Sequence, residues 1–210
     1  MFLSRPRAAV LGAVVVSLAL TACAPPGQPA AAGVAASYEG TDVTNARVDD
    51  IYESWLNGTK GQDVANRRQI LTVEVLREDL LAKCEELGYP VQWSTAEQYA
   101  DQWIQFKGQQ GEADDNMIEA TQGILALWIV AYTDPTFANL REVSDNVEAS
   151  IVASHRSGAY STDALIDSVQ LAMQTAENKQ LGGQFSYTEF QNASAFVDED
   201  RPWFDRGTSS

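Results

Sequence analysis

Few side chains in this 210-residue sequence could do chemistry, and the shortage narrows its function. There is one histidine, His155, and there are two cysteines, Cys23 and Cys84. A transition-metal site draws about four nitrogen or sulfur ligands together, which this supply does not reach. Asp114-Asp115 and Asp198-Glu199-Asp200 could gather a hard cation, but neither run has calcium-loop spacing, and both read as solvated acidic faces. His155 would need a serine and an orienting carboxylate in identifiable geometry to act as a base. No nucleophile elbow, phosphate loop or dinucleotide fingerprint accompanies it. No catalytic residue, no metal and no cofactor are therefore expected.

That leaves Cys23 as the residue whose neighbours specify a reaction. It closes the run Leu20-Thr21-Ala22-Cys23, which resembles the lipobox of bacterial lipoproteins. The resemblance implies that the thiol takes a diacylglycerol, that the segment before it is removed, and that Cys23 becomes the lipidated amino terminus. The preceding residues agree. Arg5 and Arg7 form a positive start, Ala8 to Leu20 is almost continuously apolar, and Thr21 and Ala22 are small. The apolar run falls short of the ~20 residues that span a bilayer as a permanent helix. Residues 1–22 are thus expected to be a signal peptide, and 23–33 a lipidated tether, rich in alanine and proline and unable to bury a core. Two acyl chains anchor stably where one does not, so the membrane is a partner through Cys23, and the location is the extracytoplasmic face.

Without Arg5 and Arg7 the chain has 12 basic residues against 29 acidic ones. Such a charge repels nucleic acid and anionic headgroups alike, so no nucleic-acid partner is expected. With Cys23 lipidated, Cys84 has no disulfide partner in the chain.

The elements that follow are mostly helical. Val34 to Tyr38 reads as a strand, Glu39 to Asp42 as a turn, and Val43-Thr44 as the entry to a helix carrying Val48, Ile51, Tyr52 and Trp55. Asp63 to Leu87 is a long amphipathic helix, capped by Asp63, with Cys84 on its apolar stripe and Gly88 and Pro90 at its end. Ser94-Thr95-Ala96-Glu97 reads as a capping box, ahead of the aromatic stripe Tyr99, Trp103 and Phe106. Ala113 to Thr133, with Trp128, is apolar nearly all round and belongs in the middle of a bundle. Asp134-Pro135 signals another helix start. Val147 to Ser154 reads as a late strand that pairs with Val34 to Tyr38, since a lone strand leaves its backbone unpaired. Ser161 to Lys179 is a last helix, and Phe185 to Phe204 an irregular aromatic arm clamped onto the body. The fold expected is mainly α, a bundle of five to six helices with a small two-stranded antiparallel element. Residues 34–160 form the helical domain, and 161–210 the last helix and docking arm.

The opening Val34-Ala35-Ala36-Ser37-Tyr38-Glu39-Gly40-Thr41-Asp42-Val43-Thr44, followed by Val48-Asp49, resembles the N-terminal chaperone domain of the SurA family of periplasmic isomerase and chaperone proteins. Arg156-Ser157-Gly158-Ala159-Tyr160 is similar to a turn in lipid-anchored SurA-like proteins. It departs from them at Ser157, where an aromatic is usual, and at His155, where a proline is frequent. The resemblance implies a chaperone-like domain that binds exported or unfolded polypeptides. It does not imply isomerase activity, which needs a parvulin domain of about a hundred residues, and only 50 residues follow Tyr160. Two functions follow. One is a tethered chaperone whose apolar groove, made of Tyr99, Trp103, Phe106, Trp128, Trp203 and Phe204, holds extended segments. The other is an accessory lipoprotein docking one folded envelope protein. Both depend on the anchor: a Cys23→Ser chain should leave the membrane fraction and appear soluble with its fold unchanged, as cell fractionation and circular dichroism would show.

Overall fold

A computed structural model describes residues 30–62, 64–179, 181 and 185–198. It is mainly helical, with small antiparallel strand groups. Strand β1 (Val34–Tyr38) is followed at once by β2 (Thr41–Thr44), where the sequence had read a turn running into a helix. Glu39 and Gly40 both take positive φ, 49° and 82°, the conformation that reverses a hairpin in two residues. Thr41 to Thr44 therefore folds back along β1, with Tyr38 opposite Thr41 and Ser37 opposite Asp42. Thr44 then caps helix α1 (Asn45–Gly58), its hydroxyl accepting the Arg47 N–H at 3.0 Å.

Helix α2 (Arg67–Glu86) begins in a capping box made by Asn66 and Gln69. Asp63, the expected cap, lies outside the described residues. The α2 end agrees with expectation: Gly88 takes φ 83°, and the Tyr89 N–H reaches back to the Cys84 carbonyl at 2.8 Å. Helix α3 (Trp93–Phe106) starts before the expected capping box, on a Gln92 cap with no side-chain bond. The Thr95 and Ala96 N–H groups bond the Gln92 carbonyl, which places Ser94 inside the first turn instead of at its cap.

Helix α4 (Asp115–Thr133), capped by Asp114, is buried on most sides between α1, α2, α3 and α5 (Ala138–Glu148). Gly123 sets its distance from α2: a Cβ there would meet Val73 Cγ1 at 2.5 Å and Arg77 Cγ at 3.4 Å. Asp134 does not open α5 directly. Its carboxylate accepts the Thr136 and Asn139 N–H groups at 2.9 and 3.1 Å, while Phe137 in the left-handed region precedes the helix. Leu140, Val143 and Val147 share the buried face of α5, a helical period that carries the chain through Val147, where the sequence had read a strand. The late strand shrinks to β3 (Val152–Ala153), which still pairs with β1 at Ala36 and Ser37. The expected two-stranded element is accordingly a three-stranded sheet in the order β2-β1-β3.

The chain continues through β4 (Ala159–Tyr160), α6 (Thr162–Asn178), a 3-10 helix (Ser186–Asn192) and β5 (Phe196–Val197). The described part of the expected irregular arm thus holds a 3-10 helix and a short strand: β5 pairs with β4, and at Gly158 a side chain would sit 2.1 Å from the Val197 carbonyl oxygen.

One guanidinium joins three helices. Arg47 of α1 donates from Nε to Glu74 of α2 at 3.0 Å, and from its terminal nitrogens to Asn116 at 2.5 Å and to Glu119, both of α4. Burial works against the charged form, but the Glu74 and Glu119 carboxylates outweigh it and hold Arg47 above its ordinary pKa. The site most sensitive to volume is Gly123. Gly123→Val should cost about 2–3 kcal/mol by overpacking the α2–α4 contact, as a lower urea midpoint at unchanged slope would show.

Candidate functional site

Of the aromatic residues singled out from the sequence, Tyr99, Trp103 and Phe106 form one group and Trp128 belongs to another, and rings of the arm pack against both groups. Tyr99, Trp103 and Phe106 lie at i, i+4 and i+7 on α3, so one face of that helix carries all three. Trp103 stacks on Phe106 with centroids 5.4 Å apart, and Phe185 stacks on Phe106 at 4.6 Å. Tyr187 meets Tyr99 edge to face at 5.2 Å, and its hydroxyl donates to the Tyr99 carbonyl at 3.0 Å. Lys107 Nζ sits 4.3 Å from the Trp103 ring centroid, a cation–π contact at the rim.

Trp128 belongs to a second group. It packs against Tyr132, one turn further along α4, and Tyr132 in turn meets Phe190 at 5.9 Å. The 3-10 helix spans both groups and is closely held. Tyr187 and Phe190 are 1% and 0% exposed, and the buried Glu189 is paired with Lys179 of α6 at 2.7 Å. Trp203 and Phe204 lie outside the described residues. The sequence had placed Phe185, Tyr187 and Phe190 in a docked arm, so their burial was signalled. Tyr132 was read only as a core residue of its helix.

Two features distinguish this site from ordinary core. The indole N–H groups of both Trp103 and Trp128 are buried with no hydrogen-bond partner, a rarity that costs about 1–3 kcal/mol for each such group. Phe106 is 54% exposed and Tyr132 41%, so an aromatic rim stays open to solvent on either side of the filled groove. The arrangement offers apolar contact and two orphan donors. Among the described residues no group of three or more His, Cys, Asp or Glu is placed to hold a metal ion, and no helix is long and apolar enough to cross a membrane. Cys84 is buried, with its thiol facing the Ala126 carbonyl, and burial pushes its pKa up to about 11. It is a packing residue and a poor nucleophile.

Compared with known proteins, the chain matches no family model, no curated protein and no solved structure. Its function is argued from this geometry and from the sequence.

Burial also raises Tyr187, with a smaller contribution from Tyr99, and it raises Tyr160. An unfolded tyrosine ionises near pH 10. Above that pH the unfolded chain releases protons first, so stability is whole below about pH 10 and falls as pH rises through the raised folded values. Urea titrations at about pH 8 and pH 11 should show this loss. Tyr187→Phe should make it shallower while removing about 1 kcal/mol at the lower pH with the bond to Tyr99.

Proposed function

We propose that the protein is a lipid-anchored extracytoplasmic accessory protein that docks a folded partner of the cell envelope and carries out no catalysis. The observation that carries this reading is the filled groove. A holder of unfolded chains needs an accessible apolar concavity, and here Tyr187 and Phe190 of the same chain occupy it. What remains available is the rim, where Phe106, Tyr132 and Lys107 combine aromatic area with one positive charge. Rigid aromatic anchors beside a polar edge are what folded-protein interfaces favour. The lipobox-like Leu20-Thr21-Ala22-Cys23 supports the anchored, extracytoplasmic setting.

A chaperone-like function is the second reading, and a specific observation favours it. The buried indole N–H groups of Trp103 and Trp128 lack partners beneath the arm. The carbonyls of an extended peptide would satisfy them if the arm moved aside. The SurA-like opening supports the same reading, with the Thr44 cap after its hairpin.

A photo-crosslinker at the exposed Phe106 distinguishes the two. Docking predicts one discrete envelope adduct, abolished by Tyr132→Ala, and no slowing of aggregation when purified protein is mixed at equimolar ratio with an unfolded exported protein. A broad ladder of adducts together with slowed aggregation overturns docking in favour of the chaperone.

A further inference from the structure

The acidic residues outnumber the basic ones about two to one, so a gathering of arginines runs against the average field. One such gathering lines a cleft of about 410 Å³ between the start of α1, the start of α2 and the turn after β3. Arg67, Arg68 and Arg156 contribute to it, with Asp49, Ala35 and Ser157.

Each arginine is positioned by a separate cause. Arg67 and Arg68 are the first two residues of α2, directly after the Asn66 cap, and no acidic residue occupies that first turn. Cations there oppose the helix dipole, which favours negative charge at this end. Helix stability does not explain the choice of residues. Arg67 is steadied by Asp49 at 2.5 Å from its Nε and by the Tyr52 ring at 4.7 Å, and Arg68 by Asp198. Each pairing uses one edge of a five-donor group. Arg156 lies in a turn fixed to the sheet, because Ser157 Oγ donates to the Ala35 carbonyl at 2.8 Å and the Ser157 N–H to that of Ser154 at 3.0 Å. Its own side chain is exposed and has no hydrogen-bond or ion-pair partner among the described residues.

We propose that this cleft binds a phosphate group. The guanidinium fork matches phosphate oxygens, and the start of α2 adds a field of the same sign. The net negative charge of the chain does not prevent this. At physiological salt, charges beyond about 8 Å are largely screened, and among the described residues the cleft's three arginines stand against Asp49 on its lining and Asp198 beside Arg68. The general expectation that the chain repels phosphate-bearing surfaces is reversed at this one place.

Two sources carry this chemistry, a lipid headgroup and free phosphate, and the lipid source rests on the anchored reading above. Ala35, on the cleft, is twelve residues from Cys23, at most about 40 Å of fully extended chain. With Cys23 in the bilayer, the cleft stays within reach of the headgroups.

The test uses full-chain protein carrying Cys23→Ser, which has no lipid of its own. Inorganic phosphate titrated at low ionic strength should bind saturably. Arg156→Gln should weaken binding roughly tenfold without moving the thermal midpoint, since that side chain supports nothing in the described fold. The same protein should sediment with phosphatidylcholine vesicles only when phosphatidylglycerol is added, and Arg156→Gln should lose this. Binding of free phosphate without vesicle binding supports the site and assigns it a soluble ligand. Absence of phosphate binding, or binding indifferent to Arg156→Gln, overturns the site. Neither result depends on the anchor, which fractionation of the Cys23 chain tests separately.

Discussion

Helix α4 has almost no solvent face, and the rest of the fold answers that constraint. From Met117 to Ala131 its residues are buried on nearly every side, so each stretch of its circumference needs a covering element. Helices α1, α2, α3 and α5 supply most of the cover, and the 3-10 helix near the end of the chain supplies more. Burying a leucine or isoleucine side chain contributes roughly 1.5–3 kcal/mol. Leaving one face of α4 open would forgo several such contributions. The 3-10 helix is therefore part of the structure of the bundle, which weakens any reading in which it leaves readily.

The polar network around Arg47 complements this apolar packing. Apolar contact fixes how close helices come but constrains their rotation and register weakly. A guanidinium bound on α2 and α4 at once adds direction. Glu74, whose side chain is only 6% exposed, meets Arg47 at 3.0 Å and Arg77 at 3.9 Å. Replacing such buried ion sets with apolar residues is often neutral for stability, so the network is better understood as setting geometry than as adding free energy.

Helical periodicity made most of this fold legible in the sequence, and it failed where a rarer local cause took over. The stripe of α2 could be read because its apolar residues recur at helical intervals, and α4 because it is apolar nearly all round. Strand β2 was missed because Glu39-Gly40 reverses the chain in only two residues, leaving a short, mostly exposed partner with no apolar alternation. The late strand was drawn too long because Val147, Ile151 and Val152 are β-branched, while the period of Leu140, Val143 and Val147 belongs to a helix. The aromatic site was legible as a stripe on α3 and a docked arm. Its division into two groups was not, since Tyr132 and Phe190 meet only in three dimensions. Arg47 pairs with residues 27 and 72 positions away, and the Arg67, Arg68 and Arg156 cleft joins segments equally remote. No local pattern announces either.

The order in which α4 is covered has a temporal meaning. A chain made from its amino terminus delivers α4 well before residues 186 to 192. In that interval Tyr99 lacks the ring of Tyr187, and Tyr132 that of Phe190. The aromatic surroundings of α3 and α4 are thus completed only by the carboxyl-terminal segment, Tyr187 reaching Tyr99 from 88 positions further along the chain.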